Sequence, residues 1–142
     1  MPDAVNLSIR PAAEKDEGAT VALWHTCDLV VSYNDPVKDF RFARGKPNSD
    51  ILLGTNADGK IIGSVLVGHD GHRGWVYYVA ADPACRKQDI GRRMMAAASI
   101  WLKERNVPKI MLRVRATNMQ VIDFYTHIGF ETAPRTVMQK WL

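Results

Sequence analysis

The sequence predicts a single α/β domain, residues 1–142, built around a mixed sheet. Two patterns support this prediction. Short segments alternate polar and apolar residues, as strands do, and longer segments repeat apolar residues at every third or fourth position, as helices do. No internal repeat, low-complexity stretch or linker divides the chain. The predicted order of elements is β-α-α-β-β-β-α-β-α-β.

The first third of the chain predicts one strand and two helices. Residues 6–10 alternate polar and apolar side chains, which is typical of a half-buried strand. Residues 14–27 carry a mostly apolar stripe at helical spacing, and their acidic residues suit the positive end of a helix dipole. Asp35 and Pro36 predict the N-cap and first position of a second helix, which ends near residue 44.

Three consecutive strands are predicted next, over residues 50–55, 60–68 and 75–81. The connection between the first two contains Asp58-Gly59, a pair that suits a tight turn with positive φ and therefore predicts a hairpin. A second turn covers residues 70–74.

The last third of the chain predicts two more helices and two more strands. Residues 90–106 repeat apolar side chains at helical spacing, and residues 109–115 alternate as a strand does. Residues 118–128 predict a helix that Gly129 stops at the C′ position. Residues 136–141 can close the sheet.

The composition is that of an ordinary soluble globular protein, with 46% hydrophobic and 24% charged residues. No apolar run approaches the length of about 18–20 residues that a membrane helix needs. The N-terminal residues lack a basic region followed by an apolar stretch, so we expect no secretory signal and a cytoplasmic location. The two cysteines, Cys27 and Cys85, do not form a CxxC pair and are predicted to be free thiols.

A basic loop between a strand and a helix, within residues 78–95, carries the clearest functional pattern. A loop that ends at a helix N-terminus directs several unpaired N–H groups at one point and stabilises an anion there. Cations oppose the helix dipole at this end, so four of them together favour a phosphate site over a solvated surface helix. These residues are Arg86, Lys87, Arg92 and Arg93.

This loop resembles the pyrophosphate-binding motif Arg/Gln-x-x-Gly-x-Gly/Ala of the GNAT superfamily, with Arg86 first and Gly91 last. Residues 118–131 resemble the second motif of that superfamily, Asn-x-x-Ala-x-x-Phe-Tyr-x-x-x-Gly-Phe. Both motifs occur in the expected order, with one helix and one strand between them. Two positions differ, because Asp89 replaces the middle glycine and Val121 replaces the alanine.

The resemblance implies a GNAT-like fold, with a mixed, mostly antiparallel sheet flanked by helices. It also implies an enzyme that uses acetyl-CoA, without a metal, to acetylate an amine by direct attack in a ternary complex. Relatives of this kind are often homodimers. The resemblance assigns coenzyme binding to the following residues: Val79, Ala80, Ala81, Arg86, Lys87, Gln88, Asp89, Ile90, Gly91, Arg92, Asn118 and Tyr125.

Tyr125 is the predicted general acid, because the superfamily often places a tyrosine near the coenzyme sulfur, where it protonates the leaving thiolate. The alternative is a core tyrosine that packs the last helix. Asn118 is expected to cap that helix and to contact the coenzyme arm. Asp89 raises a concern, since its carboxylate would repel a phosphate unless it points into solvent.

The general base is left open by the sequence, which offers five candidates: Asp28, Asp35, Asp70, His72 and Tyr78. Asp35 already has a predicted capping role, and Asp70 and His72 are expected to build a turn and not a metal site. Asp28 is preferred because it follows the first helix, where GNAT folds place acceptor-binding elements. Cys85 is expected to be a plain thiol and not an acyl-enzyme nucleophile.

Residues 23–36 and 70–74 further resemble YpeA-type acetyltransferases, a likeness that names no substrate. Three classes of function therefore remain open. The first is an amine acetyltransferase, whose acceptor is a small molecule or a protein amine. The second is a non-catalytic acyl-CoA-binding sensor or pseudo-enzyme of the same fold. The third is a nucleic-acid-binding module, which is disfavoured because no exposed aromatic run accompanies the basic loop.

Overall fold

The computed structural model describes residues 6–85 and 88–142, so the predictions made for Arg86 and Lys87 lie outside the described residues. The strands are β1 (Ser8–Pro11), β2 (Ser49–Thr55), β3 (Ile61–His69), β4 (Gly74–Ala81) and β5 (Ile110–Met111). The α-helices are α1 (Glu17–Thr26), α2 (Pro36–Ala43), α3 (Ile90–Lys103) and α4 (Met119–His127). Short 3₁₀ turns cover Glu14–Asp16 and Pro83–Cys85.

The five strands form one sheet in the order β1-β2-β3-β4-β5, antiparallel throughout except for the parallel pair β4 and β5. The predicted mixed, mostly antiparallel sheet with flanking helices is confirmed. The chain forms two compact units, one that ends at Leu112 and contains the sheet and α1 to α3, and one from Arg113 to Leu142 that contains α4.

Two predicted strands differ in the structure. The strand predicted over residues 109–115 is only the two-residue β5, and no strand is present over residues 136–141. Alternation indicates an extended backbone, but a strand also needs a partner with free hydrogen-bonding groups. Residues 136–141 have no strand partner among the described residues, and the side chains of Val137, Met138 and Trp141 are 60%, 89% and 73% exposed.

Helix α3 packs on the sheet through Met94, Met95 and Ala98, which are buried. Its first turn lies directly over β3, and a Cβ atom at Gly63 would be 2.6 Å from Cγ2 of Ile90. Only glycine therefore allows this close approach. The consequence is that β3 fixes the position of the α3 N-terminus relative to the end of the neighbouring strand β4.

A bidentate ion pair anchors the start of the chain. Arg10 donates from Nη1 and Nη2 to the two carboxylate oxygens of Asp16, at 2.7 and 3.0 Å, and the Ala13 N–H donates to the same carboxylate at 2.7 Å. The hydrogen bond from Arg10 is the largest influence on Asp16, and it lowers the pKa of that carboxyl from 3.8 to about 2. This pair joins β1 to the turn before α1.

Candidate active site

Strand β4 contains a bulge at Tyr78. Ser64 of β3 lies opposite Ala80 and Leu66 lies opposite Tyr77, so two residues of β4 face the single residue Val65. Tyr78 has φ of +49°, a left-handed conformation that is costly for an aromatic residue. Bulges of this kind bend a strand and redirect its side chains, and they are common beside active sites.

Past Trp75, the second edge of β4 carries no strand in the described part of the chain. Strand β5 pairs with Gly74 and Trp75, and in the described part of the chain no strand pairs with residues 76–81 on that side. An open edge offers backbone N–H and C=O groups to an extended ligand. The predicted coenzyme residues Val79, Ala80 and Ala81 all lie on this segment. Cys27 donates a thiol hydrogen bond of 3.3 Å to the Ala81 carbonyl, and both cysteines are free, as predicted.

The chain turns tightly after β4. The Asp82 N–H donates to the Ile62 carbonyl at 2.8 Å, and the Asp82 carboxylate accepts from the Ala84 N–H at 2.9 Å. Asp89 then precedes α3 with φ of +57°, the left-handed conformation that the motif assigns to glycine. Its carboxylate is 69% exposed and lies 3.4 Å from the Arg92 guanidinium, so it points into solvent and has a cationic partner.

The N-terminus of α3 provides donors for an anion. The Arg93 N–H donates to the Asp89 carbonyl at 3.0 Å, so the N–H groups of Ile90, Gly91 and Arg92 come before the first intrahelical bond. These three groups, with Gln88 beside them, are the donors that the sequence predicted for a pyrophosphate. The guanidinium of Arg93 donates instead to the Leu7 carbonyl at 3.3 Å, so it packs against the N-terminal segment.

The second unit contains the other two predicted coenzyme residues. Asn118 caps α4 and accepts from the Val121 N–H at 3.3 Å, as predicted. Gly129 ends that helix with φ of +102°. The Tyr125 ring lies between Phe124 and Phe130, with centroid distances of 5.0 and 5.5 Å, and burial raises the pKa of its phenol.

Asp28, the preferred candidate for the base, ends helix α1. It has φ of +58°, and its N–H donates to the His25 carbonyl while the Leu29 N–H donates to the Trp24 carbonyl, both at 3.0 Å. This pair of bonds is a Schellman cap, which requires a left-handed residue at this point. The Asp28 side chain is exposed, so the structure accounts for Asp28 as a helix terminator. Its catalytic role stays a prediction.

The other acidic candidates have the structural roles that the sequence predicted. Asp35 caps α2 by accepting from the Val37 and Lys38 N–H groups at 3.0 and 3.2 Å. Asp70 accepts from the His72 and Arg73 N–H groups at 2.8 and 2.7 Å and so closes the turn between β3 and β4.

The sequence did not point to Asp39, whose carboxylate is hydrogen-bonded to the side chain of the bulge residue Tyr78. The Tyr78 hydroxyl donates to it at 2.6 Å, and the Tyr78 ring stacks on Trp24 with a centroid distance of 3.9 Å. Ser64 accepts from the Trp24 indole at 2.9 Å and donates to the Tyr78 carbonyl at 2.8 Å. No motif marks Asp39, because a single carboxylate in the first turn of a helix usually only favours the helix dipole.

Burial, followed by the hydrogen bond to Asp39, raises the pKa of Tyr78 far above its usual value. The phenol is therefore protonated at neutral pH and acts as a donor to Asp39. Of the five candidates for the base, Tyr78 is thus chemically unsuited to the role.

An open cleft of ≈ 460 Å³ lies between α2, β3 and the first half of β4. Its lining includes two carboxylates and four aromatic rings: Asp39, Asp70, Phe42, Trp75, Tyr77 and Tyr78. Tyr78 belongs both to this cleft and to the bulge, so the cleft adjoins the open segment of β4. The cleft is within the size range of small-molecule sites.

A sequence profile of the Acetyltransferase (GNAT) family matches residues 18–130. The chain belongs to that family. The members of this family are acetyltransferases, which is the predicted enzyme class, an acetyl-CoA-dependent N-acetyltransferase. An acetyltransferase of Pectobacterium atrosepticum is 35% identical over 136 residues, which cover 96% of each chain.

Solved structures confirm the GNAT fold. The chain matches AAC(6')-Iy, solved in complex with the bisubstrate analog CoA-S-monomethyl-acetylneamine, with a TM-score of 0.80, 15% identity and coverage of 96% and 99% of the two chains. It also matches the aminoglycoside 6'-N-acetyltransferase AAC(6')-Ih of Acinetobacter baumannii with a TM-score of 0.80 and 17% identity. That match covers 96% of this chain and 99% of the other. Within residues 6–85 and 88–142, no helix is long and apolar enough to span a bilayer, and no three potential metal ligands of the His, Cys, Asp or Glu type cluster together.

Proposed function

We propose that this GNAT protein transfers the acetyl group of acetyl-CoA to an amine by direct attack in a ternary complex. One observation carries the proposal. The open segment of β4, its bulge and the N–H groups that precede the first intrahelical bond of α3 all belong to the stretch 76–92. An extended ligand that ends in a pyrophosphate matches this order of backbone donors and acceptors.

The donor is held mainly by backbone groups in this proposal. Val79, Ala80 and Ala81 pair with the pantetheine arm as an added strand would. The N–H groups of Ile90, Gly91 and Arg92 bind the pyrophosphate, which is the anion favoured at a helix N-terminus. The family resemblance adds further contacts from Arg86, Lys87, Gln88, Asp89, Asn118 and Tyr125.

The reaction needs one bond made and one broken. The lone pair of the neutral amine attacks the thioester carbonyl carbon, the C–N bond forms, and the C–S bond breaks with its electrons on sulfur. Tyr125 gives its hydroxyl proton to the thiolate and regains one from solvent. Its raised pKa keeps the phenol protonated, as a general acid must be. The proton lost by the amine passes to water or to a carboxylate, for which Asp28 is the sequence-based candidate.

The remaining expectations belong to the same proposal. The protein is proposed to be one catalytic domain over residues 1–142, cytoplasmic and homodimeric, from the YpeA-type branch of the family. Its partners are acetyl-CoA and an amine, with no nucleic acid and no membrane.

A non-catalytic acyl-CoA sensor is the second candidate, and Asp89 is the observation that favours it. A carboxylate stands where the motif has glycine, next to the proposed pyrophosphate site. Weak coenzyme binding or lost turnover would follow if this charge repelled the phosphates.

The two candidates are separated by an acetyl-transfer screen over grouped amines, read by release of the free thiol of CoA. The groups are diamines, aminoglycosides, amino acids and peptides with free N-terminal or lysine amines. We expect at least one group to release thiol well above hydrolysis in the absence of amine. A melting temperature that rises with acetyl-CoA, together with no thiol release from any group, would instead establish the sensor.

A further inference from the structure

We infer that the cleft beside the bulge selects an acceptor that keeps a second positive charge: a small di- or polyammonium compound. This inference rests on the proposed function, because it names the class of amine that the enzyme acetylates. It comes from the charge and shape of the cleft and from the hydrogen bonds that hold its carboxylates.

The cleft is acidic although the chain is basic. The chain carries a formal net charge of +4, yet the cleft is lined by two aspartates and one histidine, His69, and by no lysine or arginine among the described residues. Asp70 carries its charge firmly, because hydrogen bonds from Arg73 and then His72 lower the pKa of its carboxyl. Two aspartates without a lining lysine or arginine favour a cation over an anion in the cleft.

The chemistry of acetyl transfer shows that the reacting amine by itself does not account for the presence of two carboxylates in the cleft. That nitrogen must lose its proton before it attacks, so it contributes no positive charge at the reacting moment. Carboxylates stabilise the bound acceptor through the whole reaction only if a further ammonium group stays charged. A monoamine supplies none.

The walls of the cleft suit the rest of such a molecule. Phe42 is 86% exposed and Tyr77 is 41% exposed, so aromatic surface faces water at the rim. Aromatic faces attract ammonium groups and cover the methylene chain between them. Asp39 is held in place by the Tyr78 hydroxyl at 2.6 Å, and Tyr78 is fixed in turn by its stack on Trp24. The carboxylate is thus preorganised and loses little freedom when a cation binds.

Titration calorimetry on the protein saturated with CoA tests the inference without depending on turnover, because CoA carries no acetyl group to transfer. Three matched series are compared at equal chain lengths of three to six carbons: α,ω-diamines, n-alkylamines and ω-amino acids. We expect the best diamine to bind about 10-fold more tightly than its monoamine and about 100-fold more tightly than its ω-amino acid, with the differences falling as salt is added.

Asp39→Asn and Asp70→Asn identify the charges responsible. In each variant the remaining amide oxygen can still accept the shortest native hydrogen bonds, from Tyr78 or from His72 and Arg73, so the fold is retained. Asp70→Asn loses only the longer bond of 3.4 Å from the Trp75 indole. Each substitution should remove most of the preference for diamine over monoamine. Asp58→Asn is the charge-matched control, since Asp58 is exposed in the β2–β3 turn and does not line the cleft. It should leave the preference unchanged.

Equal affinities for diamine and monoamine, or a preference that survives both cleft substitutions, would overturn the inference. The proposed function would still stand in that case if the enzyme acetylates an amine that carries no second positive charge, such as an n-alkylamine or an ω-amino acid. Conversely, tight diamine binding without thiol release from acetyl-CoA would contradict the proposed function while it supports the acceptor class. If CoA itself does not bind, the same three series are titrated into the free protein, and the same comparison of affinities supports or overturns the inference.

Discussion

The proposed coenzyme side and the proposed acceptor side of β4 are built from different parts of the chain. On the proposed coenzyme side the groups are backbone: the segment of residues 76–81, which β5 does not pair, and the N–H groups at the start of α3. On the acceptor side they are side chains, chiefly Asp39, Asp70 and the surrounding aromatic rings. Tyr78 connects the two sides, because its backbone forms the bulge and its hydroxyl binds Asp39.

This difference has a consequence for specificity. Backbone groups are present whatever the side chains are, so the coenzyme side tolerates change at most positions except where a side chain blocks the approach. Each side chain of the cleft can be exchanged singly, which alters the acceptor without altering the donor. Substitutions on one side of β4 should therefore leave binding on the other side nearly unchanged.

Gly91→Glu should give the largest effect and is the strongest test of that separation. A carboxylate about 6 Å from a phosphate costs up to roughly 3 kcal/mol at an effective dielectric constant of about 20, so we expect acetyl-CoA to bind about 100-fold more weakly. Calorimetric titration of acetyl-CoA measures the change. The affinity of the free protein for a cleft ligand should stay within about 2-fold.

Ala96→Glu is the matched control, because it adds the same charge to an exposed position on the same helix. Its coenzyme affinity should match that of the unmodified protein. Equal affinities in Gly91→Glu and the unmodified protein would show that the α3 N-terminus does not bind the pyrophosphate.

Most of the fold could be predicted from the sequence because its signals are local. The period of the apolar residues identified helices α1 and α3 and strand β1, and the Asp58-Gly59 turn identified the hairpin of β2 and β3. Capping residues identified helix ends, as with Asp35 and Gly129. The prediction of a coenzyme loop rests on local signals in the same way. Its groups are contiguous in the chain, and Asp89 adopts the left-handed conformation that the motif requires.

The acceptor cleft could not be predicted because its parts are distant in the sequence. Asp39 and Tyr78 are brought into contact only by the packing of α2 on the sheet. The preferred base, Asp28, was chosen for its place after α1, a place that also needs a left-handed residue to end the helix. The prediction of a strand over residues 136–141 was wrong because the alternation of polar and apolar residues does not reveal whether a partner strand exists.

Tyr125→Phe should have the next largest effect, and it should act on the chemical step while it leaves binding on both sides nearly unchanged. The substitution keeps the ring between Phe124 and Phe130 and removes only the hydroxyl, so the melting temperature and coenzyme affinity should change little. General acid catalysis contributes about 10²–10⁴-fold, and a thiolate is a good leaving group, so kcat should fall by about 10²-fold or somewhat less. A kcat near that of the unmodified enzyme on its best amine would make Tyr125 a packing residue.

Asp16→Asn should affect stability alone, because the ion pair with Arg10 lies on neither side of β4. The pKa of Asp16 falls from 3.8 to about 2 on folding, so its contribution is present above about pH 4 and is lost as the pH falls through about 2. Since Arg10 is 40% exposed, we expect a loss of about 1–2 kcal/mol at pH 7. Urea unfolding from pH 7 down to pH 2 should show the two proteins converging in acid. A constant difference across that range would mean that packing, and not charge, is responsible.

Asp89→Gly should have the smallest effect and tests how far the backbone governs the coenzyme side. The Asp89 carboxylate makes no cap bond within the described residues, is 69% exposed and has Arg92 at 3.4 Å, so most of its repulsion toward a phosphate is screened. Glycine also adopts φ of +57° without the strain that a side chain causes. We expect acetyl-CoA to bind about 2- to 5-fold more tightly, with a gain that shrinks at high salt.

Asp89→Asn separates charge repulsion from backbone strain as the cause of that gain, because asparagine tolerates the left-handed conformation but has no charge. If both variants bind more tightly by the same factor, charge repulsion explains the gain; if only glycine does, backbone strain explains it. Unchanged or weaker binding in both would show that Asp89 does not oppose the coenzyme.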